Sequence, residues 1–272
     1  MRELIRNRMA LAAFVFILAI LVFAILAPLL TRYDPTSTDS RNVLTAPSRE
    51  HIFGTDRLGR DIFSRIVYGA RISLAIGFIA VGIASLIGVL IGAIAGYYGG
   101  PIDYILMRFV DIMLCFPAIF LILAVISLLE PSITNIMVII GATGWMGIAR
   151  LVRAQVLTLK ERDFVAAAKV MGAKDSRIIL KHLIPNAIGP VLVSATLGIG
   201  GAILTESALS FLGIGVQPPS PSWGNILMDG RSTLGVAWWL TVFPGLFILF
   251  TVLSYNILGE ALRDIYEPRL KE

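Results

Sequence analysis

Side chains able to do chemistry are few in this sequence and unevenly placed. Histidine occurs only at His51 and His182, outside any His-Glu-x-x-His metal motif. Neither a Gly-x-Ser-x-Gly elbow nor a Gly-x-x-x-x-Gly-Lys-Ser/Thr phosphate loop occurs. A hydrolytic nucleophile, a catalytic metal or a nucleotide held by that loop is therefore unsupported, and the chain reads as non-catalytic and without a cofactor of its own. The single cysteine, Cys115, lies in an apolar run and supports neither a disulfide framework nor a cysteine metal cluster. Three charged features stand out from what remains: an island from Glu161 to Asn186, an arginine-rich segment before residue 72, and an isolated Glu206.

The rest of the chain must position these groups, and it is overwhelmingly apolar. Of 272 residues, 57% are hydrophobic and only 15% charged, against about 25% in soluble domains. Mean hydropathy is +0.83. The net charge of +5 is not a nucleic-acid signature here, because basic residues flanking apolar runs are the ordinary mark of membrane topology. The fold class expected is an all-α membrane protein, a single domain over residues 1–272 with six spans at about 9–30, 72–98, 105–129, 131–150, 185–206 and 236–259. The first, Met9 to Leu30, has 22 uncharged residues after Arg2, Arg6 and Arg8. It is too long for a signal-peptide core and long enough to cross hydrocarbon. Pro117 predicts a kink in the third span. Gly77, Gly82, Gly88, Gly92 and Gly96 predict close helix packing in the second.

Lys and Arg orient the bundle. With the N-terminus inside, fifteen of the 23 fall on the cytoplasmic side, eight of them between Arg150 and Lys181. That bias predicts both termini, and the loop at 151–184, in the cytoplasm. It leaves external loops at 31–71 and 213–235. Seven arginines in the first oppose the rule: Arg32, Arg41, Arg49, Arg57, Arg60, Arg65 and Arg71. Interleaved acids, with Asp56/Arg60 and Asp61/Arg65 at i,i+4, predict a folded, ion-paired element, with His51 closing the loop rather than binding metal. The breaker-rich stretch Gln217 to Gly224 predicts a short re-entrant or surface helix near Trp223 to Asp229, with Trp223 at the membrane interface. Arg108, Asp111 and Glu130 read as interface residues. Glu206, at the external end of the fifth span, has two readings: a pathway or gate group, or a hydrogen-bond partner of a neighbouring span or loop.

Within the charged island, Phe164, Ala167, Ala168 and Met171 fall at i, i+3, i+4, i+7 and predict one apolar helical face, with Asp163 and Lys169 off it. Gly172 permits the left-handed turn that ends a helix. After Ala173 and Lys174, Asp175 or Ser176 can cap a second helix carrying Arg177, whose Ile179, His182 and Leu183 share a face until Pro185 starts the next span. An amphipathic hairpin of this kind fits a lipid surface or a protein groove equally well.

The spacing Ala167-Ala168, three residues to Gly172, then Leu183-Ile184-Pro185 resembles the coupling loop of binding-protein-dependent ABC importer permeases. Two further segments resemble the second permease subunit of the dipeptide/oligopeptide/nickel branch. One is His51-Ile-Phe-Gly-Thr-Asp-Arg-Leu-Gly-Arg-Asp, continuing to Leu74; the other is Ser210-Phe-Leu-Gly-Ile-Gly with Pro218 to Leu227. The resemblance spans nearly the whole chain. It implies a bacterial or archaeal cytoplasmic-membrane importer with a homologous second permease, two cytoplasmic ATPases that bind ATP and Mg, and an extracytoplasmic solute-binding protein. It also implies that Asp163, Phe164, Ala167, Ala168, Met171, Gly172, Ala173, Lys174, Asp175, Arg177, His182 and Pro185 carry the ATPase contact. Ala166 stands where the family has a glutamate, so docking would rest on the Ala167/Ala168/Met171 face and the Gly172 turn. Di- or oligopeptides are the expected cargo, with nickel chelates or another small solute as the alternative. An ion-coupled secondary transporter would call for inverted repeats and paired midplane charges, and neither is visible.

Overall fold

The computed structural model describes residues 7–130 and 132–266. Arg2, Arg6, Arg269 and Lys271, which enter the orientation count, and Pro131, expected to open the fourth span, lie outside them. The described residues form helices and loops, with one isolated bridge between Thr55 and Asp61.

Helix α1 (Arg8–Ile25) starts where the Asn7 side chain accepts hydrogen bonds from the Met9 and Ala10 amides, then passes into the short α2 (Ala27–Leu30). Its buried residues, Ala10, Ala13, Ile17, Ile20 and Ala24, recur every three or four positions and form one stripe. Phe14, Leu18 and Phe23 face outward, a surface that hydrocarbon accepts.

Helix α3 (Ile62–Tyr98) is the central element. It begins ten residues before the predicted Ile72 and takes up part of the segment expected as loop 31–71. At 37 residues it is about 55 Å long, more than the ~30 Å of hydrocarbon, so one end stands in the folded loop. Asp61 caps it, accepting the Ser64 amide and hydroxyl at 2.8 Å each. Gly88, Gly92 and Gly96, one per turn, open a groove for α7 (Met146–Leu159). A Cβ at Gly92 would lie 2.4 Å from the Ala149 carbonyl oxygen, and at Gly96 2.9 Å from Val156 Cβ. Gly77 faces Ile199 and Ile203 in the same way, whereas Gly82 faces open space.

Between α3 and α7 the chain is broken rather than merely kinked. Helices α4 (Gly100–Cys115) and α5 (Ala118–Ile126) meet at 84°, and α6 (Ile133–Ala142) meets α7 at 42°. Phe116 is extended before Pro117, the conformation a following proline enforces, so the helix stops and restarts. The continuous spans expected at 105–129 and 131–150 are thus bent pairs. Among the described residues four helices are long and apolar enough to cross a membrane, and six if each bent pair counts as one. Helix α9 (Asp175–Phe211) starts ten residues before the predicted boundary at Pro185. A π turn over Ile179–Leu183 shifts the hydrogen-bond ladder just ahead of the proline that lacks a donor, and the helix continues through it. Helices α10 (Trp223–Arg231) and α11 (Trp239–Tyr266) are the last helices among the described residues.

The arginine-rich loop folds on α10. Arg60 Nε donates to Asp56 Oδ2 at 2.6 Å, the predicted i,i+4 pair. The predicted Asp61/Arg65 pair does not form. Asp61 is already occupied by the helix cap and by His51 Nδ1 at 2.9 Å, and Arg65 turns instead to Asp56 (3.4 Å) and Asp229 of α10 (3.3 Å). Asp229 also receives Arg60 at 3.2 Å. Burial pushes the Asp229 carboxyl up, while Arg65 and Arg60 pull it down. Trp223, expected at the membrane interface, is fully buried instead. Its Nε1 donates to the Ile66 carbonyl at 3.1 Å, a partner the interface would not supply.

Candidate functional site

At the end of α3 opposite the folded loop, α8 (Asp163–Val170) and the start of α9 form the hairpin. Its turn is a complete Schellman motif. Gly172, at φ +75°, donates to the Lys169 carbonyl at 2.9 Å, and Ala173 donates to Ala168 at 3.0 Å. Both bonds require the left-handed backbone, which glycine adopts without a Cβ penalty.

The hairpin is seated from beneath. Val165 and Ala168 are buried together with Val152, Val156, Ile178, Ile179 and Leu183. The Tyr97 hydroxyl, at the end of α3, donates to Asp175 Oδ1 at 2.6 Å, and Lys169 Nζ lies over the Tyr97 ring 5.5 Å from its centre. Lys160 Nζ donates to the Gly96 carbonyl at 3.1 Å, and Arg153 grips Asp103 through two 2.5 Å bonds.

The predicted apolar face divides. Ala168 alone of Phe164, Ala167, Ala168 and Met171 is buried; the other three point away from the bundle, joined by Val170, and Met171 is 80% exposed. Val165, which the periodicity reading left out, is the residue that seats α8. Asp175 does not cap α9 with its side chain. Lys174 holds the cap position without a side-chain bond, and the Asp175 carboxylate faces Tyr97. Lys174 and Arg177 are exposed, His182 is half-buried, and Pro185 lies within α9 rather than at its start.

A cavity of about 270 Å³ opens near the middle of the bundle. Its walls come from α3 (Ala80, Val81, Ala84), α5 (Ala118, Ile122), the α6–α7 break and α9, where Gly198, Gly201 and Thr205 face it. Among the described residues no ionisable side chain lines it. The Thr143 and Thr205 hydroxyls donate to carbonyls of their own helices at 2.8 and 2.9 Å, and Ser194 adds a third hydroxyl to the wall.

Glu206, one residue beyond Thr205, is not part of that wall. It is fully buried, and its Oε1 accepts the Ser210 hydroxyl at 2.6 Å and the Ser222 hydroxyl at 2.9 Å. Ser222 is the N-cap of α10, in a capping box with Asn225, and Ser73 of α3 accepts the Trp223 amide at 3.3 Å. Glu206 therefore ties α9 to the N-terminus of α10 where α10 meets α3. The close approach of α10 to α9, where a Cβ at Gly224 would lie 2.7 Å from Ser207 Cα, is the signal that glycine in Ser222-Trp-Gly carries in the sequence.

Comparison with known proteins adds to this geometry. A family model described as the binding-protein-dependent transport system inner membrane component matches residues 88–272. A second, the N-terminal TM domain of oligopeptide transport permease C, matches residues 1–47. The chain is 46% identical over 270 residues to the dipeptide transport system permease protein DppC of Alkalihalophilus pseudofirmus, covering 99% of this chain and 89% of that one. It is 42% identical over 266 residues to the oligopeptide transport system permease protein OppC of Bacillus subtilis, covering 98% and 87%. Among solved structures, an inward-facing MetNI methionine ABC transporter matches with a TM-score of 0.51 at 18% identity, over 74% of this chain and 97% of that one. An amino acid ABC transporter with histidines matches at 0.52 and 16%, over 76% and 93%. At those identities the two structures share the fold.

Proposed function

The chain belongs to the family of binding-protein-dependent transport system inner membrane components, and on that premise we propose that it is the second permease subunit of an ATP-driven importer of dipeptides and oligopeptides. It is a multi-pass protein of the cytoplasmic membrane. Its partners in this reading are a homologous permease, two cytoplasmic ATPases that bind the ATP and Mg, and an extracytoplasmic binding protein that delivers cargo. The topology we assign has six spans, counting each bent pair as one, with both termini and the hairpin in the cytoplasm. The Lys and Arg distribution supports it.

The observation that carries the reading is continuity. The hairpin's second arm, the cavity wall and the Glu206 clamp all belong to the single helix α9. Phe164, Ala167 and Met171 stand outward on a base fixed by Val165, Ala168 and Tyr97, which suits a groove in an ATPase. Asp163, Ala173, Lys174, Asp175, Arg177 and His182 surround that face, and Pro185 marks where the arm enters the span. A push on the hairpin would travel along α9 as a rod, moving Gly198, Gly201 and Thr205 against α3 and α5, a rigid-body transition between two packings. Glu206 acts in this reading as a clamp on α10, not as a substrate ligand.

Reconstitution of the four-subunit complex with its binding protein tests the assignment. Uptake of a labelled dipeptide should require ATP and persist when ion gradients are collapsed. Uptake that ignores ATP and stops with the proton or sodium gradient would make the protein a secondary transporter. Competition by nickel chelates but not by peptides would replace the cargo class.

A further inference from the structure

Seven arginines lie between residues 31 and 71, five in the loop after α2 and two in the first turns of α3, and the structure accounts for three of them. Arg60 and Arg65 join Asp56 and Asp229, and Arg71 donates to the Ala24 and Ile25 carbonyls at the end of α1. Arg32 and Arg49 form no ion pair and no side-chain hydrogen bond among the described residues, yet they line the same pocket of about 240 Å³. Two guanidinium groups lining one cavity without an ion pair leave its positive charge largely unmatched, and each presents a planar fork suited to phosphate oxygens.

The other walls indicate what kind of anion. Leu30, Ile52 and Phe63 supply apolar lining, and Tyr33 lines the pocket with its ring tilted against His51, centroids 4.8 Å apart. Leu30 ends the apolar run of α1 and α2, and its neighbour Leu29 is 82% exposed. The pocket thus sits at the level where hydrocarbon gives way to headgroups. The acids facing it are Glu50 and Asp61. Both Asp61 oxygens are already engaged, by His51 and by Ser64, which leaves Glu50 as the one carboxylate opposing two guanidinium charges.

We propose that Arg32 and Arg49, with Tyr33 and the Leu30/Ile52/Phe63 wall, bind the phosphodiester headgroup of an anionic phospholipid, its acyl chains lying along α1 and α2. A free inorganic phosphate would match the arginines but would leave the apolar wall without a partner. The site also gives a reason for arginines in a loop where topology disfavours them. It requires only that α1 cross the membrane and is independent of the cargo.

The test uses the assembled importer in nanodiscs of phosphatidylglycerol and phosphatidylcholine, with retained lipids counted by native mass spectrometry. Wild type should retain phosphatidylglycerol preferentially. R32Q/R49Q should lower that preference roughly 20-fold, at about fivefold per arginine near an anionic surface. R32K/R49K should keep most of it, which separates charge from misfolding. Unchanged lipid preference in R32Q/R49Q would overturn the proposal. So would displacement of the lipid by millimolar inorganic phosphate alone, which would make the ligand a free anion. Loss of binding-protein association in R32Q/R49Q at unchanged lipid preference would likewise overturn it, by assigning the pocket to protein docking.

Discussion

The Tyr97 hydroxyl meets Asp175 Oδ1 at 2.6 Å, joining the end of α3 to the start of α9 across 78 positions of sequence. Tyr97→Phe removes only that bond, because the ring that Lys169 overlies remains. The expected loss is about 0.5–1.5 kcal/mol of hairpin anchoring. In the reconstituted importer it should appear as more ATP hydrolysed per peptide moved, with unchanged membrane insertion. Asp175→Asn keeps an acceptor oxygen and should be nearly silent. A Tyr97→Phe complex coupled as tightly as wild type would show that the hairpin is positioned by Val165 and Ala168 alone.

Gly172 separates backbone conformation from packing. Nothing lies within 4 Å of the Cβ it lacks, so a substitution there is opposed by φ +75° and by little else. Gly172→Val should disfavour the turn by roughly 1–2 kcal/mol and weaken ATPase association, while Gly172→Asn, which tolerates left-handed backbone, should retain most of it. Pull-down of the ATPases from solubilised membranes ranks the three proteins. Equal recovery would remove the turn from the interaction.

Much of this architecture was legible before any coordinates, and the failures have physical causes. Runs of about 20 apolar residues announce spans, and glycines four apart announced a groove, which α7 fills. The breaks are half-visible: Pro117 marks one, but its angle depends on how α5 packs against α6. Periodicity does not single out the hairpin face, because Asp-Phe-Val-Ala-Ala-Ala-Lys-Val offers apolar residues on every side of an eight-residue helix. Only the tertiary partners Val152 and Val156 decide that Val165 turns inward. Spacing alone pairs Arg65 with Asp61, four positions before it, whereas its partner Asp229 lies 164 positions away.

Arg65 is almost fully buried, 2% exposed, and it depends on Asp56 and Asp229. Arg65→Ala strands both carboxylates beside Arg60 alone, and Asp56→Asn leaves the guanidinium with one weaker partner. Losing one member of a buried pair typically costs about 3–5 kcal/mol. Both variants should therefore lower the thermal midpoint of the purified complex by several degrees, whereas Arg57→Ala, an exposed control from the same loop, should not. Indistinguishable midpoints would mean the network does not hold the loop to α10.

The glycine groove can be probed position by position. Gly92→Ala drives a methyl into the Ala149 carbonyl oxygen and must separate α3 from α7; overpacking of this kind costs about 1–3 kcal/mol. Gly82→Ala meets nothing within 4 Å and should be neutral or slightly stabilising through helix propensity. Thermal stability of the two variants in one detergent makes the comparison. Equal destabilisation would point to glycine's backbone freedom, not the α7 contact, as the reason for the pattern.

Glu206 provides the sharpest separation of a clamp from a ligand. Its Oε1 accepts the Ser210 and Ser222 hydroxyls, and an amide oxygen can still accept both, though more weakly than a carboxylate. Glu206→Gln should therefore keep α10 in place and preserve transport within about threefold. Glu206→Ala leaves two buried hydroxyls without their acceptor, a loss of about 1–3 kcal/mol, and frees the cap of α10. Ser222→Ala should reproduce part of that loss, and the double variant with Glu206→Ala should add little more, since the two groups share one bond. A ligand role predicts the opposite order: Glu206→Gln would raise the KM for peptide with the assembly's thermal midpoint unchanged, and Ser222→Ala would leave KM alone. Measuring KM and midpoint on the same preparations decides between the two.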